Sequence, residues 1–99
     1  MMLPLGRDDL RDALSQLHGW SGDYREIRRT LRLDDSEHAQ LTERVKVAAD
    51  ALDLHPHVRR LDGYTQIRLC TRDGGPITAD EVALAARIEA AYQTVLHSR

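Results

Sequence analysis

Apolar residues recur at the spacing of a helix face in three segments of the chain. The pattern predicts a first helix that stops at Gly19, a second that must end before Pro56, and a third that continues to about Leu96. The apolar positions are Leu10, Ala13, Leu14 and Leu17 in the first segment, Leu41, Val45, Ala48, Ala49 and Leu52 in the second, and Leu84, Ile88, Ala91 and Val95 in the third.

Two of these helices begin at sequence signals for capping. Asp34 with Glu37, and Thr78 with Glu81, have the spacing at which an N-cap side chain and a carboxylate three residues later satisfy free backbone N–H groups. We therefore expect the second helix to start just after Asp34 and the third just after Thr78.

Alternation of apolar and polar residues predicts strands between the helices. A short strand and turn are expected at residues 20–24, and longer strands at 26–33, 57–61 and 64–71. The last two are joined at Asp62-Gly63, a dipeptide suited to a tight hairpin. Arg29 interrupts the apolar side of its strand, so we expect it near the sheet's edge or at an interface. His18, His38 and His97 are expected at the surface.

The order of elements is helix, strand, strand, helix, strand, strand, helix. Hairpin-length links between paired strands favour an α+β fold, a four-stranded antiparallel sheet with three helices packed on one face. The 99 residues, of which 41% are hydrophobic and 30% charged, predict one domain spanning residues 1–99. The core contains no Phe, and such a small core is often supplemented by self-association.

Charge and cysteine content exclude several classes of function. A formal net charge of −2 gives no general attraction to nucleic acid or to an anionic membrane, so we expect neither as a direct partner. Cys70 is the single cysteine, which excludes an internal disulfide, and no residues have zinc-ligand spacing. The start of the chain lacks the pattern of a secretory signal, and we expect a cytoplasmic protein.

Several motifs, spread almost from end to end, resemble the pterin-4a-carbinolamine dehydratase family, also called 4a-hydroxytetrahydrobiopterin dehydratases. They are Gly19-Trp20, RRTLRL at residues 28–33, Arg44-Val45, His55-Pro56, RLCTRD at 68–73 and ITADEVALAARIE at 77–89. The resemblance implies the α-β-β-α-β-β-α fold, a hydro-lyase activity on a tetrahydropterin, and a homodimer or homotetramer. It also implies that no metal or cofactor is needed, because the pterin is the substrate.

The sequence departs from the family at the catalytic motif. Members typically carry His-His-Pro at the junction of helix and strand and Thr-His at the end of the following long strand. The corresponding residues here are Leu54-His55-Pro56 and Thr71-Arg72, so two of three family histidine positions are Leu54 and Arg72. Leucine transfers no proton, and arginine remains protonated in ordinary sites.

The candidate site residues follow from these matches. Dehydration needs one group that gives a proton and one that takes a proton, and histidine suits both because its ordinary pKa is about 6.5. His55 and Asp73 are the catalytic candidates, and His57 is a possible second titrating group or a solvent-facing residue. The residues expected to bind the substrate are Leu54, Pro56, His57, Thr71, Arg72 and Trp20.

Three functions stay open at this point. The first is a weak dehydratase that uses His55 with help from Asp73 or His57. The second is a non-catalytic module for binding or assembly, because proteins of this family also act in transcription-factor dimerisation and, in some bacteria, in Rubisco assembly. The third is an altered pocket in which Leu54 and Arg72 hold a different, anionic ligand.

Overall fold

The computed structural model describes residues 6–71 and 73–97 of the chain. It contains three helices and four strands in the predicted order. Their bounds are α1 Arg7–Gln16, β1 Ser21–Gly22, β2 Glu26–Arg32, α2 Asp35–Ala51, β3 His57–Leu61, β4 Tyr64–Cys70 and α3 Ala79–His97. Within the described ranges, no helix is both long and apolar enough to cross a membrane.

The four strands form one antiparallel sheet in the order β1-β2-β4-β3. One face of this sheet is covered by the helices, which confirms the predicted α+β class. The first strand is shorter than expected and pairs only Ser21 and Gly22 with the start of β2. The second hairpin turns at Asp62-Gly63, as predicted, and Gly63 has the positive φ of +75° that such a turn uses.

The hydrophobic core lies between the sheet and the helices. Ile27 and Leu31 of β2 alternate into it from one strand, and Ile67 and Leu69 of β4 enter it from the neighbouring strand. The helices contribute the residues that the apolar spacing selected, including Leu10, Leu41, Val45, Ala49, Leu84, Ile88 and Val95. The helical periodicity therefore predicted the buried face of each helix correctly.

The two helix starts also match the sequence. The Asp34 carboxylate accepts a bond from the Glu37 backbone N–H at 2.8 Å, and the Glu37 carboxylate accepts one from the Asp34 N–H at 3.0 Å. At α3, Glu81 accepts from the Thr78 N–H at 2.7 Å, while the Thr78 hydroxyl accepts from Asp80 N–H at 3.2 Å. Both helices are thus capped within one turn of their N-termini.

His38 differs from the surface position expected for it, whereas Arg29 lies where it was predicted. His38 is half-buried, and its Nδ1 lies 2.7 Å from the hydroxyl of Thr65, a residue with no exposed surface. The prediction of a surface residue was therefore wrong for His38. Arg29 lies on β2 just beyond the last residue paired with β1, close to the edge as expected. Its side chain turns toward α3, where it pairs with Glu89.

Candidate functional site

The end of α2 positions the candidate catalytic histidine. The Leu54 N–H donates to the Ala49 carbonyl at 2.9 Å and the Asp53 N–H to the Asp50 carbonyl at 3.2 Å, the two bonds of a Schellman motif. Asp53 occupies the left-handed position of this motif, with φ of +54°. The chain reverses there, and His55 follows immediately in the short segment before β3.

The hairpin of β3 and β4 fixes the second histidine. His57 pairs with Arg68 across the two strands, so both side chains project from the same face of the sheet. Residues 58 and 60 project from the other face, where Arg60 donates to Thr65 and to Asp35 of α2. His57 and, at the end of β4, Cys70 therefore belong to the face that the helices leave uncovered.

The end of α2 and the hairpin of β3 and β4 together enclose a pocket of about 360 Å³. The residues that line it are Asp53, Leu54, His55, His57, Cys70, Thr71 and Gly74. The volume lies within the range of small-molecule sites, which are roughly 300–1,000 Å³. His55 and His57 thus meet at one cavity, and Leu54 and Thr71 line it with them.

A second concavity of about 470 Å³ adjoins the first between α2 and β3. Leu54 and His55 line both, whereas Pro56 lines only the second. Its other walls are largely apolar and include Val45, Ala49 and Val58. The segment 54–56 is therefore a partition between two cavities, and His55 stands at their boundary.

Asp73 lies in the loop at the rim of the pocket. Its carboxylate accepts a bond from the Gly75 N–H at 2.9 Å, and the Thr71 hydroxyl donates to the Gly75 carbonyl at 2.8 Å. The bond from Gly75 is the main cause that lowers the pKa of Asp73 below its ordinary value of 3.8, with the Thr71 hydroxyl second. The carboxylate is consequently an anion at neutral pH that organises the loop.

The loop is also held from the opposite hairpin. Arg25 donates from Nη1 to the Gly74 carbonyl at 2.8 Å, and the Ile77 N–H donates to the Tyr24 carbonyl at 2.9 Å. Both contacts come from the turn between β1 and β2. The wall of the pocket formed by Gly74 is thereby tied to the turn at the opposite edge of the sheet.

Trp20 lies away from this pocket. Trp20 is buried, and its indole N–H donates to Glu89 of α3 at 2.7 Å; it is absent from the lining of the pocket. Arg72 lies outside the described residues. Among the residues that are described, no group of three His, Cys, Asp or Glu side chains could hold a metal ion.

Sequence reasoning did not select three of the lining residues, Asp53, Cys70 and Gly74. The sequence marks Cys70 only as the single cysteine, whereas its place at the end of β4 next to Thr71 brings it to the same rim. Asp53 had a weak signal, because a helix stopping before Pro56 needs a residue that tolerates positive φ, and aspartate does so more readily than most.

A wider groove of about 630 Å³ lies elsewhere, beside the start of α2 and the end of α3. It is more voluminous than the pocket at His55, but no histidine lines it. Its carboxylates, Asp34 and Glu37, are engaged in the capping box. Of these two sites, the smaller pocket is therefore the one equipped for proton transfer near neutral pH.

Comparison with known proteins agrees with this fold. The family model described as pterin 4 alpha carbinolamine dehydratase matches residues 3–91. A curated relative from Opitutus terrae is 32% identical over 86% of this chain and 90% of its own length. One from Sulfurisphaera tokodaii is 30% identical over 89% of this chain and 96% of its own length. Both carry the family's name.

Solved structures show the same architecture. A crystal structure of a transcriptional coactivator/pterin dehydratase from Brucella melitensis superposes with a TM-score of 0.80 at 22% identity, covering 90% of this chain and 98% of the other. The fold is of the pterin dehydratase type. The chain belongs to the pterin 4 alpha carbinolamine dehydratase family.

Proposed function

We propose that the pocket at the end of α2 binds a reduced pterin and dehydrates its 4a-carbinolamine, with His55 and His57 as the two proton-transfer groups. The observation that supports this is their common place in the lining of one cavity. In this proposal His57 supplies the second titrating group that the motif with Leu54 and Arg72 lacks. No cofactor is required, since the pterin is itself the substrate.

The reaction requires two proton transfers that balance. One histidine, protonated, gives a proton to the departing 4a-hydroxyl, which leaves as water when its C–O bond breaks. The other, neutral, takes the proton from the neighbouring ring nitrogen as the new C=N bond forms. The pair then exchanges roles through solvent before the next turnover. Each transfer by a positioned group contributes roughly 10²–10⁴-fold to the rate.

The other residues of the pocket have supporting roles in this proposal. Leu54 supplies an apolar wall for the ring, and Thr71 and Asp73 hold the loop through Gly75. Asp73 was a catalytic candidate in the sequence. Its bond to the Gly75 N–H and its absence from the lining of the cavity favour a role in shaping the rim.

The test is a stopped-flow assay of 4a-hydroxytetrahydropterin dehydration by the purified protein. We expect His55→Ala and His57→Ala each to lower the enzyme-dependent rate by roughly 10²-fold or more. His18→Ala removes an exposed histidine of the turn after α1 and should leave the rate unchanged. A wild-type rate no greater than that of buffer would contradict the proposal. Full activity of the His57→Ala variant would contradict the role of His57 as the second proton-transfer group.

A second role, in protein binding, is suggested by the Brucella melitensis protein, which is a transcriptional coactivator as well as a pterin dehydratase. We propose that this chain also assembles with copies of itself. Along β2, residues 29–32 have no strand beside them on the β1 side in the described structure, which leaves an edge for pairing. Light scattering tests this directly, because a monomeric mass would contradict it.

A further inference from the structure

The uncovered face of the sheet is strongly basic, although the chain as a whole has a net charge of −2. Alternation along the strands places four arginines on this face and only one acidic residue. The residues there are Glu26, Arg28, Thr30 and Arg32 of β2, Tyr64, Gln66, Arg68 and Cys70 of β4, and His57, Arg59 and Leu61 of β3. The positive charge is thus concentrated on one side of the molecule.

One end of this basic face adjoins the pocket. The register places His57, Arg68 and Arg28 side by side on three adjacent strands. His57 lines the pocket, and Cys70, two residues along β4 from Arg68, lines it as well. Since adjacent strands lie roughly 4.8 Å apart, Arg68 stands about 5 Å and Arg28 about 10 Å from the backbone of His57.

Like charges directly opposite each other destabilise a sheet, so the pairing of Arg28 with Arg68 needs compensation. Glu26 supplies it in part, because its two oxygens lie 3.3 Å from Arg28 Nη1 and 3.4 Å from Arg68 Nη1. The side chains of Arg28 and Arg68 nevertheless remain 49% and 46% exposed. Each guanidinium has five N–H donors, so one carboxylate leaves most of them available to a ligand.

We propose that Arg68 and Arg28 bind the anionic side chain of a pterin whose ring occupies the pocket. The inference rests on the proposed binding of a pterin ring and adds the class of substrate, one with phosphate or carboxylate groups on its side chain. Guanidinium groups bind either anion through paired N–H bonds. A chain that leaves the pocket past His57 meets Arg68 first and Arg28 next.

Fluorescence titration can test this with two ligands that share one ring. Neopterin has a neutral side chain, and neopterin triphosphate carries an anionic one. We expect the triphosphate to bind about tenfold or more tightly than neopterin, as charge-assisted bonds of this kind provide. Raising the salt concentration should weaken the binding of the triphosphate and leave that of neopterin nearly constant.

Three variants locate the effect. Arg68→Gln and Arg28→Gln should each remove most of the preference for the triphosphate while leaving neopterin binding unchanged. Arg32→Gln is the matched control, because Arg32 projects from the same face of the same strand as Arg28 but lies four residues away, about 13 Å along β2. It should retain the preference. Thermal melting of all three confirms that the sheet is intact.

Competition separates the two sources of negative charge. Inorganic triphosphate should displace neopterin triphosphate but not neopterin, and pteroyltriglutamate tests whether carboxylates satisfy the same arginines. A preference for either anionic pterin that Arg68→Gln removes supports the inference and identifies the group. Equal affinities for neopterin and both anionic pterins would overturn it, as would a preference lost equally in Arg32→Gln.

The result is separable from the proposed catalysis. Anion-selective binding without turnover would support this inference while contradicting the dehydratase function. Turnover of a neutral pterin without anion selectivity would support the dehydratase function and contradict this inference. Failure of every pterin to bind would overturn both.

Discussion

Trp20 and Glu89 are joined by a 2.7 Å hydrogen bond from the indole Nε1 to the carboxylate Oε1. The same oxygen accepts a second bond from Nε of Arg29 at 2.8 Å, and the guanidinium of Arg29 stands 5.7 Å from the centre of the Tyr92 ring. One glutamate of α3 therefore connects the segment after α1 to β2. The tryptophan that the sequence suggested for the pocket belongs to this cluster instead.

Replacing Glu89 with alanine should destabilise the fold. It removes the acceptor of both Trp20 and Arg29, whose side chain is only 20% exposed. A partly buried donor left unpaired costs about 1–3 kcal/mol, so we expect the free energy of unfolding to fall by roughly that amount. Urea denaturation measures it. Glu43→Ala, at an exposed position of α2, is the control and should change stability by less than about 0.5 kcal/mol. Equal effects of the two substitutions would contradict the role assigned to Glu89.

Gly19 and Gly63 offer a matched pair of glycine substitutions. Both have positive φ, +87° and +75°, so alanine strains the backbone at either position by about 1–2 kcal/mol. A Cβ at Gly63 meets nothing within 4 Å, whereas one at Gly19 would collide with the guanidinium of Arg29. Because Arg29 can yield only by disturbing its pair with Glu89, we expect Gly19→Ala to cost more than Gly63→Ala in thermal and urea unfolding. Equal costs would show that Arg29 moves aside freely.

The pKa of Asp73 predicts a pH dependence of the pocket rim. Because the folded state lowers this pKa below 3.8, the anion stabilises the loop at pH values above the ordinary pKa, and the contribution is lost as pH falls through the folded value. NMR titration should show the carboxyl carbon of Asp73 changing below pH 3.8, together with the amide of Gly75. Titration at or above the ordinary value would contradict the bond to Gly75. Asp73→Asn should leave the Gly75 amide without this transition.

Much of the fold could be predicted because local signals agreed with the packing. The alternation in β2, the turn at Asp62-Gly63 and the pair Asp34 and Glu37 each specify a local conformation that the core then retains. The position of His38 could not be predicted in this way. Its contact with Thr65 joins residues 27 positions apart in the sequence, and helical periodicity records only which face of α2 is apolar.

The candidate site was predictable in part for the same reason. His55 and His57 are close in sequence, and the helix end with the following strand restricts where both can lie. The sequence did not predict that Trp20 lies away from the pocket. Its partner, Glu89, is 69 residues away, and a single tryptophan gives no indication of which distant acceptor its N–H will find. The arginines of β2 are evident in the sequence. Their connection to the pocket depends on the register of β2 with β4 and of β4 with β3, which the sequence does not give.

The hairpin turn sets the register between β3 and β4, and this register decides which side chains face the cavity. Residues on a strand alternate between faces, so a slip of one position between β3 and β4 would exchange His57 with Val58 and remove the imidazole from the cavity. A change of two positions would restore the face but shift His57 away from Arg68. Lengthening the Asp62-Gly63 turn by one residue should therefore damage the pocket, and it should also weaken the core, because Val58 would leave the helix-covered face together with His57. The length of one two-residue turn therefore decides which side chains of β3 reach the cavity.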